Sequence, residues 1–216
     1  MQKKIEEAFP VRIYADDDEQ EHMDVCHLPS IKLIEGVLNG LSSLDPFKAL
    51  DVGCGDGIFT RDCLKKWFSC VDMFDQCPVA IDKVQRLKAE IDVIGRVVQS
   101  KFHEYNCNTY YSAIFLRWTP GYMADDELVA KLMSWKLWLK PSKRATNFRK
   151  GTGSYIVVLD NVVEESEQTT TKDGQRLRSK KRLETLFEKA KLQVFKCTRP
   201  HLLVRNYHEV VVWVLN

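Results

Sequence analysis

Short continuous apolar runs alternate along this chain with stretches in which apolar residues recur every three or four positions. Pro29 and Ser30 precede such a stripe at Ile31, Ile34, Val37, Leu38 and Leu41, which predicts a helix over 31–41. The run 48–52 reads as a strand, followed by a glycine-rich turn and a helix through Phe59, Cys63, Leu64 and Trp67. The alternation repeats with strands at 69–74 and 95–99 around a helix over 78–91, then a strand at 111–116. A long helix carrying Leu128, Leu132, Trp135 and Leu139 stops at Lys140-Pro141, and Ser154 to Leu159 is the clearest strand of the chain. Ala113-Ile114-Phe115-Leu116 is apolar throughout, as a strand covered on both faces must be. After a helix near 179–191, two strands at 192–198 and 207–215 follow each other too closely for a crossover helix between them, so they must pair antiparallel. The pattern predicts a polar segment over 1–28 and one domain over 29–216, with a basic insertion at about 142–153.

The turn after the first strand carries the chemistry. Ala49-Leu50-Asp51-Val52 runs into Gly53-Cys54-Gly55-Asp56-Gly57, with glycines at alternate positions. Glycine admits positive φ and lets a ligand approach the backbone. Eighteen residues after Gly57, the second strand ends in Asp75, where a carboxylate can accept from both hydroxyls of a ribose. Together they predict a bound nucleoside. A dinucleotide would require G-x-G-x-x-G and a helix N-terminus open to a pyrophosphate, whereas this loop holds Asp56, which repels phosphate and tolerates ammonium and sulfonium charge. S-adenosyl-L-methionine fits that requirement. Asp51, Gly53, Gly55, Gly57 and Asp75 are the candidate cofactor residues, with Asp51 equally suited to bonding the loop amides.

Composition narrows the setting without changing it. The 216 residues suit one large domain, and 44% apolar with 29% charged residues is ordinary for a globular chain. A formal net charge of +2 gives no global case for nucleic acid or membrane surfaces. Seven cysteines without a C-x-x-C pair offer no zinc signature, and no metal is expected. The N-terminus lacks the apolar core of a signal peptide and no run reaches membrane-spanning length, so cytoplasm or nucleus is the expected location. The fold expected is α/β: a Rossmann-like, seven-stranded, mostly parallel sheet with an antiparallel C-terminal hairpin and helices on both faces, the layout of class I methyltransferases.

Several segments resemble the protein α-N-terminal methyltransferases, which methylate the free amine of substrates beginning X-Pro-Lys. Leu50 to Gly57 resembles that family's L-D-C-G-A-G-I-G, and Val71-Asp72-Met73-Phe74-Asp75 resembles V-D-M-V-D at the same spacing. Ile114 to Met123 resembles I-W-I-Q-W-V-I-G-H-L, Leu159-Asp160-Asn161 resembles K-D-N, and Asp173 falls on an acid of the D-D-V-D loop. The resemblance runs from about Ser30 to the C-terminus. It implies that Gly53, Gly55 and Asp75 hold the cofactor, that Trp118 lines the cofactor pocket and walls the channel for the substrate's first residues, and that Asn161 hydrogen-bonds the substrate. Asp173 would lie near the reacting nitrogen, and Tyr122 stands where the family has a histidine. Asp173, Asn161 and Tyr122 are thus the candidate catalytic residues and a protein or peptide N-terminus the expected acceptor.

Departures from the family's pattern keep other readings open. An arginine that pairs with the cofactor's carboxylate in the family is Ile58 here, with Arg61 one turn further as its candidate replacement. The aspartate before the fourth strand is Ser112, and one acid of the substrate loop is Thr170. These losses also suit a methyltransferase-like subunit that no longer catalyses and instead scaffolds or activates a protein partner. The insertion with Lys143, Arg144, Arg149 and Lys150, and a second group of Lys172, Arg176, Arg178, Lys180, Lys181 and Arg182, suit either solvated surface or an acidic partner such as nucleic acid.

Overall fold

The computed structural model describes residues 17–41, 44–141, 153–171, 174–199 and 209–216, with side chains from His27 onward. Nine strands form one connected sheet: β1 (Ala49–Val52), β2 (Val71–Asp75), β3 (Ile94–Gln99), β4 (Ala113–Arg117), β5 (Tyr155–Val163), β6 (Thr169–Thr170), β7 (Arg176–Ser179), β8 (Val194–Thr198) and β9 (Glu209–Leu215). Among the described residues five helices surround it: α1 (Asp17–Asn39), α2 (Ile58–Asp62), α3 (Pro78–Lys88), α4 (Asp125–Leu137) and α5 (Lys180–Lys189). The main sheet runs β3-β2-β1-β4-β5-β9-β8, parallel as far as β5 and antiparallel in β9 and β8. These are the seven strands expected. The short ribbon β6–β7 is an addition that the expected sheet did not contain.

Strand parity explains the apolar runs. Ala49, Val71, Met73, Ala113, Phe115, Val157 and Leu159 face one core with α1, α2 and α3, through Ile34, Leu38, Phe59, Leu64, Ile81 and Val84. Leu50, Val52, Phe74, Ile114, Leu116, Ile156 and Val158 face the other with α4 and α5, through Leu128, Leu132, Trp135, Leu183 and Phe187. Strands covered on both sides cannot alternate apolar with polar. Local chemistry fixes the helix starts: Pro78 opens α3 where its missing N–H is harmless, and the Ser179 hydroxyl accepts from the Arg182 N–H at 3.1 Å to cap α5.

Two boundaries differ from expectation. Pro29 does not start a helix, because α1 runs from Asp17 through it to Asn39. The turn before Pro29 is anchored by tertiary contacts, since His27 bonds to Asp62 and Arg117, while the Ser30 hydroxyl donates to the His27 carbonyl at 2.7 Å. Strand β5 continues past Leu159 to Val163, so Asn161 lies within a strand and not at its end. The extension is paired on both edges. β9 follows it to Val162↔Glu209, and β7 joins at Val162↔Arg178 and Val163↔Ser179 on the edge that β4 leaves after Arg117↔Leu159.

Candidate active site

The carboxyl edge of β1 and β2 is a tight backbone cradle. Gly53, Gly55 and Gly57 take φ of 65°, 55° and 81°, all in the left-handed region that glycine tolerates without cost. At Gly53 there is also no room: a Cβ would sit 2.2 Å from Thr119 Cγ2. The turn is closed by Cys54 N–H donating to the Phe74 carbonyl and Gly57 N–H to the Cys54 carbonyl, both at 3.1 Å. Asp75 ties the two strands together. Its Oδ2 accepts from Gly55 N–H and its Oδ1 from Cys77 N–H, each at 2.9 Å. The Gln76 N–H also bonds this carboxyl, and with about two lone pairs on each of two oxygens the group keeps acceptor capacity beyond these three amides. Burial pushes the Asp75 carboxyl above its usual range, against the pull of those amides.

Asp51 is fully buried beside the cradle. It accepts from the Thr60 hydroxyl at 2.9 Å, so its bond goes to α2 and not to a loop amide. Burial raises its pKa to about 6, opposed by the positive charge of Arg117 and the Thr60 bond. Asp51, Asp56 and Asp75 make this edge acidic. Arg61 does not offset them at the turn, because it lies side-on to Asp62, with Nε to Oδ1 at 2.6 Å and Nη2 to Oδ2 at 2.8 Å. Ile58 is half-buried at the start of α2.

The carboxyl edge of β4 and β5 is the second half. Trp118 takes φ 56°, a left-handed conformation that costs a bulky side chain about 1–3 kcal/mol. Its N–H donates to the Leu159 carbonyl at 2.8 Å, while its indole Nε1 is buried without a partner among the described residues. Thr119 Oγ1 is in the same condition. Tyr122 follows, half-buried, on the 3-10 turn Pro120–Tyr122. Asn161, also half-buried, donates its N–H to Asp160 Oδ1 at 2.9 Å. Asp160 also accepts the N–H of Gly121, so the backbones that carry Asn161 and Tyr122 meet on one carboxylate. Burial raises the pKa of Asp160 to about 7, against those two amides and the charge of Arg178. Asp173 lies outside the described residues.

Arg178 holds this edge in place. Buried in β7, it donates Nε to Asp125 Oδ1 at 2.7 Å, Nη1 to the Pro120 carbonyl at 2.9 Å and Nη2 to the Met123 carbonyl at 2.5 Å. One guanidinium therefore ties β7 to both ends of the turn that presents Tyr122, and to the first residue of α4. Close packing reinforces it, since a Cβ on Gly121 would lie 2.6 Å from Gln175 Cγ. Beside β5 and β7 a recess of about 550 Å³ opens, lined by Val162, Glu164, Glu167, Ser179, Lys181 and Glu209.

Sequence reasoning grouped Arg178 with a surface basic patch, and the structure corrects this. Arg178 is buried, Arg182 shares Asp125, Lys180 pairs with Glu184 at 2.6 Å, and Lys181 pairs with Glu165 at 3.5 Å. Arg176 is half-buried, Lys172 lies outside the described residues, and so does the insertion at 142–152. Asp160 and Arg178 carry no local motif of their own. The available signal was Arg178 beside Leu177 in a segment short enough to be a strand.

Comparison with known proteins gives consistent matches. The family model described as AdoMet dependent proline di-methyltransferase matches residues 27–216. The alpha N-terminal protein methyltransferase 1 of Drosophila melanogaster is 27% identical over 129 residues, 58% of this chain and 42% of its own length. The N-terminal Xaa-Pro-Lys N-methyltransferase 1-B of Xenopus laevis is 27% identical over 153 residues, 70% of this chain and 64% of its own. A Caenorhabditis elegans alpha N-terminal protein methyltransferase 1 is 30% identical over 149 residues, 64% of this chain and 57% of its own. The matches thus span about two fifths to two thirds of these relatives' length. Among solved structures, a SAM-dependent methyltransferase of Leishmania major superposes with a TM-score of 0.81 at 20% identity, over 92% of this chain and 76% of that one. The DhpI–SAM–HEP complex follows with a TM-score of 0.64 at 16% identity, over 92% and 91%. At these identities the structural likeness bears on the fold. Among the described residues no helix is long and apolar enough to cross a membrane.

Proposed function

Because this chain belongs to the family of AdoMet-dependent proline di-methyltransferases, we propose that it methylates the N-terminal α-amine of a protein substrate with S-adenosyl-L-methionine. The observation that carries this reading is Asp75, whose carboxyl is held at the tip of β2 by the Gly55, Gln76 and Cys77 N–H groups and keeps acceptor capacity for the hydroxyls of a ribose. The donor set also fits the rest of the ligand. The cradle displays Asp51, Asp56 and Asp75, which suits a sulfonium, and Trp118 Nε1 and Thr119 Oγ1, without partners among the described residues, are buried donors on the adjoining turn.

When bound, the cofactor supplies an electrophilic methyl group on a positively charged sulfur. Asp75 holds the nucleoside end, which the glycine turn lets approach the backbone, and the ring of Trp118 walls the passage between that end and the acceptor. Asn161 orients the substrate backbone or amine by hydrogen bonding, and Tyr122 forms the facing wall. An α-amine of pKa near ~8 is largely protonated at neutral pH, so transfer needs a group that accepts or relays its proton. Asp173 is the residue we assign to that role, since a phenol of pKa about 10 such as Tyr122 is a poor base at neutral pH. Cytoplasm or nucleus is the proposed location.

The test is mass spectrometry of Xaa-Pro-Lys peptides after incubation with the cofactor and the purified protein. One or more methyl groups on the α-amine, abolished by N-acetylation of the peptide, is the expected result. Cofactor binding with no transfer to any peptide of a Xaa-Pro-Lys library would reject the acceptor. It would favour a second reading, a methyltransferase-like protein that serves a partner subunit, which the loss of a cation at Ile58 also supports.

A further inference from the structure

The ligand of the proposed function has a carboxylate at the end of its amino-acid tail, and the cradle gives it nothing but negative neighbours. Asp51, Asp56 and Asp75 surround the turn, Ile58 opens α2, and Arg61 is spent on Asp62 with nearly half its side chain in solvent, 44%. Among the described residues Arg117 nevertheless brings a cation to this edge. The β1–β4 pairing ends at Val52↔Leu116, so Arg117 is the next residue, level with Gly53 at the mouth of the cradle. Its guanidinium carbon lies over two rings, 4.7 Å from the Phe59 centroid and 5.0 Å from that of Trp118. It is also the leading charge that offsets burial at Asp51.

Two residues of α1 steady it. Arg117 Nη1 donates to His27 Nδ1 at 3.0 Å and to Ser30 Oγ at 3.4 Å. Since Nδ1 accepts, the His27 proton sits on Nε2, which donates to Asp62 Oδ2 at 3.0 Å. The chain Asp62–His27–Arg117 thus leaves the arginine's orientation to α1 and α2 together.

We propose that Arg117, steadied by His27 and Ser30, pairs with the carboxylate of the cofactor's amino-acid tail. A planar guanidinium offers parallel N–H groups that match a carboxylate, so a cation lost at Ile58 on α2 is supplied from the neighbouring strand. This assignment rests on S-adenosyl-L-methionine being the ligand.

The experiment is calorimetric titration with S-adenosylhomocysteine and with its decarboxylated counterpart, S-adenosyl-3-thiopropylamine, which differs at the carboxylate alone. The wild type is expected to prefer the first by about tenfold or more. Arg117→Gln should lose that preference by weakening S-adenosylhomocysteine alone, with the decarboxylated ligand unchanged within about twofold. Arg117→Lys should keep part of it, and His27→Gln should cost less than Arg117→Gln. Equal weakening of both ligands in Arg117→Gln, or a wild type that binds both alike, overturns the proposal and leaves the cofactor reading standing. A wild type that binds neither ligand overturns both. Should the glutamine variant fail to fold, Arg117→Lys decides: a preference reduced but not lost supports the proposal, and one unchanged from wild type overturns it.

Discussion

The two edges that meet at the candidate site are held together by different kinds of contact. At β1–β2 the ties are backbone amides on a nearby carboxylate: Gly55 N–H to Asp75 spans 20 residues and Cys77 N–H to Asp75 spans two. At β4–β5 they are long-range side-chain ties: Arg178 to Asp125 spans 53 residues and Arg178 to the Pro120 carbonyl spans 58. The first edge is a property of a glycine turn and can be written into a short stretch of sequence. The second needs β7 to have docked on β5 before it has a shape. The half proposed to bind the nucleoside should therefore survive damage that dismantles the half proposed to bind the acceptor.

The sharpest way to break that comparison is Arg178→Met. It takes the Arg178 donor from the Pro120 and Met123 carbonyls, while Asp125 keeps Arg182 and the Pro120 carbonyl keeps the Met123 N–H, at a cost of about 3 kcal/mol for the lost buried bonds. Urea denaturation reads the loss. In the folded variant the peptide KM should rise several-fold while S-adenosylhomocysteine affinity holds within about twofold. Equal damage to both would mean the edges are one unit.

Gly53→Ala probes the place where the edges touch. The new Cβ must displace Thr119 Cγ2 from 2.2 Å and adopt positive φ. A destabilisation of about 2 kcal/mol is expected, with cofactor affinity falling because the cradle itself is distorted. Thermal melting and ligand titration check it. A variant of wild-type stability and affinity would show that the cradle and the Trp118–Thr119 turn do not constrain each other.

A pH dependence is also expected. Asp160 has a folded-state pKa of about 7 against about 3.9 unfolded, so the native state holds a proton there that the unfolded chain has lost. Stability from this group is complete below about pH 4 and is lost as pH rises through about 7. Asp51, at about 6, acts in the same direction. His27 opposes them. Burial lowers its pKa, so its contribution is present above the unfolded value of about 6.5 and lost as pH falls. Asp160→Asn should therefore lose the Asp160 part of the decline, and its stability relative to wild type should rise between about pH 4 and 7 in urea titrations. A constant offset across that range would mean that Asp160 does not hold its proton.

The contrast between the edges also decides what could be read from the residues. Strand β1, the glycine turn and Asp75 were legible because apolar run, turn chemistry and spacing are local and agree. The parallel order and the antiparallel β8–β9 pair followed from run lengths and from a link too short for a helix. Asn161 was misplaced at a strand end because its strand is prolonged by partners far away in sequence, Val210 of β9 and then Arg178 and Ser179 of β7. Arg178 read as surface charge because nothing near it in sequence announces Asp125. Pro29 read as a helix start because the His27–Asp62 and His27–Arg117 contacts that fix the turn before it are tertiary.

Hydrogen exchange with mass spectrometry tests the division most directly. S-adenosylhomocysteine alone should slow exchange in segments spanning 49–59 and 71–77, and a Xaa-Pro-Lys peptide added afterwards should extend protection to 118–125 and 159–164. Protection by S-adenosylhomocysteine confined to 118–125, with none at the glycine turn, would contradict the account.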